Sequence, residues 1–76
     1  MLVGVVEDSL WATKKSEGLT GQAFLIVRVE GSKMVCADCV GAGPGERVLV
    51  ACGGAARVAA GAAVPVDAAI VGIVDT

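Results

Sequence analysis

The sequence predicts an all-β fold, a small barrel of about five to six short strands with one short helical segment, in a single domain over residues 1–76. Three observations carry this expectation. Short apolar runs recur at regular spacing with turn signals between them. Several runs are apolar on both faces, as in a barrel wall whose inner side fills the interior and whose outer side meets neighbours. The apolar content is mostly Ala, Val and Gly, residues that favour strands and close backbone approach.

Taken in order, Leu2–Val6 is a first strand, and Leu10–Thr13 resumes it after the polar Glu7-Asp8-Ser9. Lys14–Gly21 is polar, holds two glycines and reads as a turn region. Ala23–Glu30 alternates, with Leu25, Val27 and Val29 on one face and Phe24, Ile26 and Arg28 on the other. Glu30-Gly31-Ser32-Lys33 is a tight connection into a strand over Met34–Val40. Gly41–Glu46 is a glycine loop, Arg47–Cys52 a further strand, and Gly53-Gly54 its end. Ala55–Ala60 reads as a short helix stopped by Gly61. Val64–Asp67 is an extended lead-in to a last strand over Ala69–Val74.

A chain of 76 residues that is 55% hydrophobic has too little interior for its apolar side chains. The excess must lie against a partner subunit or a membrane. A spanning helix needs about 20 consecutive apolar residues, and the most apolar tract, Ala62–Val74, is broken by Pro65 and Asp67. The first residues carry acids where a signal peptide carries a basic start. The expectation is therefore a cytoplasmic homo-oligomer without membrane attachment. A net charge of −2 argues against nucleic acid, because no basic excess is present to neutralise phosphates. His and Tyr are absent, which removes the commonest general base and metal ligand and lowers the case for an enzyme.

Gly41, Gly43 and Gly45 resemble half of a phosphate-binding fingerprint, but such a loop must feed a helix, and Glu46-Arg47-Val48-Leu49-Val50 has a strand pattern. A tight turn against which another chain packs is the preferred reading. Cys36 and Cys39 form a C-x-x-C, yet on a strand residues three apart face opposite ways. With Cys52 they supply three thiols and no His, short of a zinc set. They read as reduced packing residues, and no cofactor is expected. Asp38 is exposed or bound to backbone N–H groups or arginine, with Arg57, Arg47 and Glu46 as candidate partners. Lys14 and Lys15 are candidates for contact with an acidic partner edge. Trp11, the only Trp, is expected as a packing side chain on an early strand.

The stretches Val40-Gly41-Ala42-Gly43-Pro44-Gly45-Glu46-Arg47-Val48-Leu49-Val50 and Val64-Pro65-Val66-Asp67-Ala68-Ala69-Ile70-Val71-Gly72-Ile73-Val74-Asp75 resemble the vertex proteins of bacterial microcompartments. That family includes the pentamer-forming subunits of carboxysomes and of ethanolamine- and propanediol-type compartments. Ala12-Thr13-Lys14-Lys15, Gly18-Leu19-Thr20-Gly21 and Gly54-Ala55-Ala56-Arg57 fall where its other characteristic segments do, so the likeness spans nearly the whole chain in order. The resemblance implies an OB-like β-barrel assembling into a pentameric ring with a narrow axial opening. It implies a structural, non-catalytic role at shell vertices, with hexagonal shell proteins as partners. In such a ring Gly41, Ala42, Gly43, Gly45, Glu46 and Arg57 are expected at a subunit interface or near the opening, and Lys14 and Lys15 at the shell edge. The second reading, from a different class, is a small cysteine-based redox or metal-binding module using Cys36, Cys39 and Cys52.

Overall fold

A computed structural model describes residues 1–75. The chain runs through β1 (Leu2–Leu10), a 3-10 turn (Glu17–Leu19), β2 (Phe24–Val29), β3 (Ser32–Asp38), β4 (Arg47–Cys52), α1 (Gly54–Ala60) and β5 (Ala68–Val74). The strands close into a barrel in the order β1-β2-β3-β5-β4. All neighbours are antiparallel except β3 and β5, which are parallel and joined through only Ala37↔Ala69 and Asp38↔Ile70. The all-β barrel with one short helix expected from the sequence is the fold observed.

The wall is strongly staggered. Paired residues lead from Leu10 to Phe24, Ala37, Ala69 and Ala51, and Val50, next to Ala51, pairs with Leu2 at the opposite end of β1. Such an offset is what tilts strands enough to close a five-stranded barrel.

Two strand boundaries differ from the sequence reading. β1 continues through Glu7-Asp8-Ser9 instead of breaking there. A register shift between Val6 and Asp8 lets the polar residues stay in the ladder and face solvent, and Glu7 pairs with Arg28 at 3.1 Å and Lys33 at 3.2 Å. Conversely, Thr13 and its neighbours lie beyond the strand. β3 starts at Ser32 and ends at Asp38, because the β2–β3 turn uses only Glu30 and Gly31. Both have positive φ, 50° and 84°, the type I′ combination that matches the twist of the flanking strands.

The interior is filled by Val6, Leu25, Val27, Cys36, Val48, Val50, Ala68 and Ile70. Each fully buried Val, Leu or Ile side chain contributes about 1.5–3 kcal/mol. Leu25 and Val27 face inward and Arg28 outward, as their alternation predicts. Gly4 occupies the tightest point of the wall. A Cβ there would stand 2.5 Å from Val27 Cγ1 and 2.8 Å from the Arg28 carbonyl oxygen.

A second cluster, Ala37, Ala56 and Ala69, lies on the outer side of the wall beneath α1, flanked by Phe24, Val66 and Val71. Ala37 and Ala69 alternate with the inward-facing Cys36, Ala68 and Ile70, so they point outward, yet they are buried because the helix covers them. A seam of alanines lets a helix backbone approach a sheet closely.

Candidate assembly site

The glycine loop leaves the end of β3 and returns as β4. Asp38, the last residue of β3, organises its first half. Its Oδ1 accepts from the N–H groups of Val40 at 3.1 Å, Gly41 at 3.0 Å and Ala42 at 3.3 Å, and its Oδ2 accepts from Ala42 N–H at 3.1 Å. Of the partners open to Asp38 on sequence grounds, consecutive backbone amides are therefore the ones it uses. In the second half, Glu46 Oε1 accepts from Gly43 N–H at 2.7 Å, while Glu46 N–H donates back to the Gly43 carbonyl at 3.2 Å.

Two further contacts fasten the loop to the barrel. Gly45 N–H donates to the Val6 carbonyl at 2.8 Å and Val6 N–H to the Glu46 carbonyl at 3.0 Å, continuing the β1–β4 ladder. Ala42 packs against the interior cluster. Four loop amides that a phosphate would need are thus already held by two carboxylates. An incoming anion would have to displace a negative charge of the chain itself.

The expected tightness at Gly43 is not found within the chain: a Cβ there meets only Glu46 Oε1, at 3.7 Å. Any close packing against Gly43 must come from another molecule.

Arg57 lies on α1, which follows β4, whereas the loop precedes that strand. Arg57 is exposed on α1, and its carbonyl accepts from Gly61 N–H at 2.8 Å, closing the helix C-terminus. Lys14 and Lys15 are exposed on the segment between β1 and the 3-10 turn, and Lys15 Nζ reaches the Ala12 carbonyl at 3.4 Å. Within a single subunit the hydrogen bonds of Asp38 and Glu46 bring the residues of Gly41–Glu46 together.

The thiols diverge, though not through strand alternation: Cys36 is on β3, while Cys39 lies one residue beyond its end. Cys36 faces the interior, while Cys39 and Cys52 are exposed. Burial, followed by the neighbouring Cys52 and Asp67, pushes the Cys36 thiol up to about 11. Burial and then Asp38 push Cys39 up as well. Raised values keep thiols protonated and poorly nucleophilic. Among the described residues, no group of three or more His, Cys, Asp or Glu is placed to hold a metal ion. No helix among them is long and apolar enough to cross a membrane.

Sequence reasoning missed the most exposed apolar groups. Trp11 lies just beyond β1 and is 91% exposed, so it does not pack within its own barrel as expected. Val58, on α1, is 85% exposed. In Ala55–Ala60 only Arg57 is polar, and one charge among alanines sets no period that would show where Val58 points.

The chain matches the family model described as "Ethanolamine utilisation protein EutN/carboxysome" over residues 1–75. It is 44% identical to the bacterial microcompartment shell vertex protein GrpN of Rhodospirillum rubrum, across 100% of this chain and 94% of that protein. It is 40% identical to the carboxysome shell vertex protein CcmL of Thermosynechococcus vestitus, across 100% of this chain and 85% of the other. The solved structure of the pentameric shell protein GrpN superposes with a TM-score of 0.87 at 42% identity, covering 100% of this chain and 96% of that one. The pentameric shell protein MSM0273 from the RMM microcompartment gives a TM-score of 0.90 at 43% identity, with 100% and 92% covered.

Proposed function

Since the chain belongs to the EutN/CcmL family, we propose that it is a structural subunit of a bacterial microcompartment shell, forming a pentameric ring that caps the shell's vertices. The observation that carries this reading is the full-length likeness, in sequence and fold, to solved shell proteins that are themselves pentameric. Flat facets are tiled by six-fold units, and a closed polyhedral shell requires five-fold units at its corners. The work of such a subunit is geometric: complementary edges and a fixed curvature.

The physical character of the barrel supports that role. Its interior is apolar, and no polar or charged residue among those described is buried. The reading of the function as structural and not catalytic is supported by the likeness to shell vertex proteins. The ring's partners are hexagonal shell proteins, and its setting is the cytoplasm of a compartment-forming bacterium.

Ring closure is heterologous, joining two different patches of neighbouring copies. On this reading one copy contributes Gly41, Ala42, Gly43, Gly45 and Glu46 and the next contributes Arg57, at the interface or near the axial opening. Lys14 and Lys15 face an acidic edge of the adjoining shell protein.

Native mass spectrometry of the purified chain tests the central claim. The expected species is a five-chain assembly, seen as five-fold rings by electron microscopy; a stable monomer at micromolar concentration would overturn it.

A further inference from the structure

We propose that Gly18 and Pro65 form a clasp that fixes the loop between β1 and β2 and, through it, sets where Lys14 and Lys15 stand at the shell edge. The place of the lysines rests on the vertex role proposed above; the clasp itself does not. A Cβ at Gly18 would lie 3.0 Å from Pro65 Cδ and 3.5 Å from its Cγ, with the Ala63 carbonyl oxygen at 3.6 Å. Gly18 is not among the glycines with positive φ, so its backbone conformation is open to other residues. What glycine supplies here is space.

The two sides of the contact are held differently. Pro65 belongs to the crossover from α1 to β5. Gly53 N–H pins that crossover by donating to the Asp67 carbonyl at 2.8 Å, and Val66 N–H donates to the Val64 carbonyl at 2.9 Å. The Pro65 ring is closed onto its own backbone and cannot swing aside. The loop before β2 has no ladder to hold it, and among the described residues the hydrogen bonds of residues 12–22 are local. Lys15 Nζ donates to Ala12, Leu19 N–H to Ser16, Thr20 N–H to Glu17 and Gln22 N–H to Leu19, each at a carbonyl. Local bonds shape a loop without fastening it to the barrel. Packing must do that, and Gly18 on Pro65 supplies it, together with half-buried Leu19, which shares a hollow with Phe24, Val35, Pro65 and Val66. The turn thus seats on a rigid post, and the segment leading into it keeps one direction.

At a compatible φ, Ala ordinarily stabilises relative to Gly, because it restricts the unfolded chain. Gly18→Ala is expected to do the reverse locally. Amide exchange at Leu19, Thr20 and Gln22 should quicken about threefold or more, read by hydrogen–deuterium exchange on rings verified by native mass spectrometry. In Gly18→Ala/Pro65→Ala the two methyl groups can pack, and exchange should return towards the parent rate. Co-assembly of the rings with a purified hexagonal shell protein should weaken several-fold in Gly18→Ala and recover in the double variant.

Unchanged exchange in Gly18→Ala, or no rescue by Pro65→Ala, would overturn the clasp whatever the state of the ring. Rescued exchange with unaltered co-assembly would overturn the positioning of the lysines and leave the ring standing. A chain that never forms rings would overturn the vertex role and the positioning with it, while its exchange pattern would still decide the clasp.

Discussion

A methyl group added at Gly4 would collide with the Val27 side chain and the Arg28 carbonyl, whereas one added at Gly43 would meet nothing closer than 3.7 Å. The two glycines sit in regions built on different physics. The wall at Gly4 is held by non-directional packing, in which β1 and β2 approach closely because one residue has no side chain. The loop at Gly43 is held by directional hydrogen bonds from Asp38 and Glu46 to successive amides. The conspicuous glycines of the sequence are thus the ones with room around them, and the indispensable one sits unmarked in an apolar run. What a glycine is for depends on what stands opposite its missing side chain, and a repeated motif does not say.

The contrast can be broken most forcefully at the wall. Gly4→Val is expected to cost about 3 kcal/mol or more, since one of the atoms in the way belongs to the backbone and cannot swing aside. Urea denaturation followed by circular dichroism measures this, and a near-normal midpoint would mean that β1 and β2 can separate without loss.

At the loop, Asp38→Ala removes the acceptor for three N–H groups and is expected to cost about 2 kcal/mol in the same assay. Asp38→Asn, which keeps one oxygen, should recover about half of that loss. An unchanged stability in the alanine variant would show that water replaces the carboxylate without penalty.

These outcomes also mark how far the sequence could be read. Cys39 parts from Cys36 because β3 ends at Asp38, whereas strand number and the inward face of Leu25 and Val27 follow from period and turn chemistry, which are local. The continuity of β1 did not, because the bulge between Val6 and Asp8 breaks the alternation where polar residues enter. Asp38 was recognised as needing partners, but choosing amides over arginine requires knowing how the chain folds back from Cys39 to Ala42. The placement of Arg57 and the glycine loop at a subunit interface concerns two copies of the chain, which the local pattern of one strand or turn does not encode. The exposure of Trp11 was invisible for a similar reason: an indole at the end of an apolar run reads like a buried one.

Gly43→Val sharpens the comparison from the other side. Its intrinsic stability should lie within about 0.5 kcal/mol of the parent, as for a surface substitution with space to accept it. If ring assembly on size-exclusion chromatography is nevertheless lost, the missing side chain serves a neighbouring copy; if both are unchanged, Gly43 is not a contact at all.

The smallest effect belongs to the outer wall. The hydrogen bond from Lys33, followed by the charges of Lys33 and Arg28, holds the Glu7 carboxyl below its ordinary value of 4.5. A carboxylate with a lowered folded-state value adds stability above its unfolded value and loses it as pH falls through the folded one. The midpoint of thermal unfolding should therefore decline more steeply below pH 4.5 in the parent than in Glu7→Gln; parallel curves would assign the decline to other carboxylates.

The closed order β1-β2-β3-β5-β4 has a consequence for crowding. A β-rich chain with a mean hydropathy of +0.78, concentrated at the corners of a shell, is the sort of polypeptide that ordinarily seeds fibres. Fibres grow by adding strands to unpaired rims of backbone donors and acceptors. Here every strand has a neighbour on each side, so open backbone is confined to short stretches such as those beside the two-pair seam of β3 and β5, and most of what one molecule offers another is side chains. A surface of that kind can be sticky without being a template, and that difference lets a stack of apolar subunits stop at a finite size.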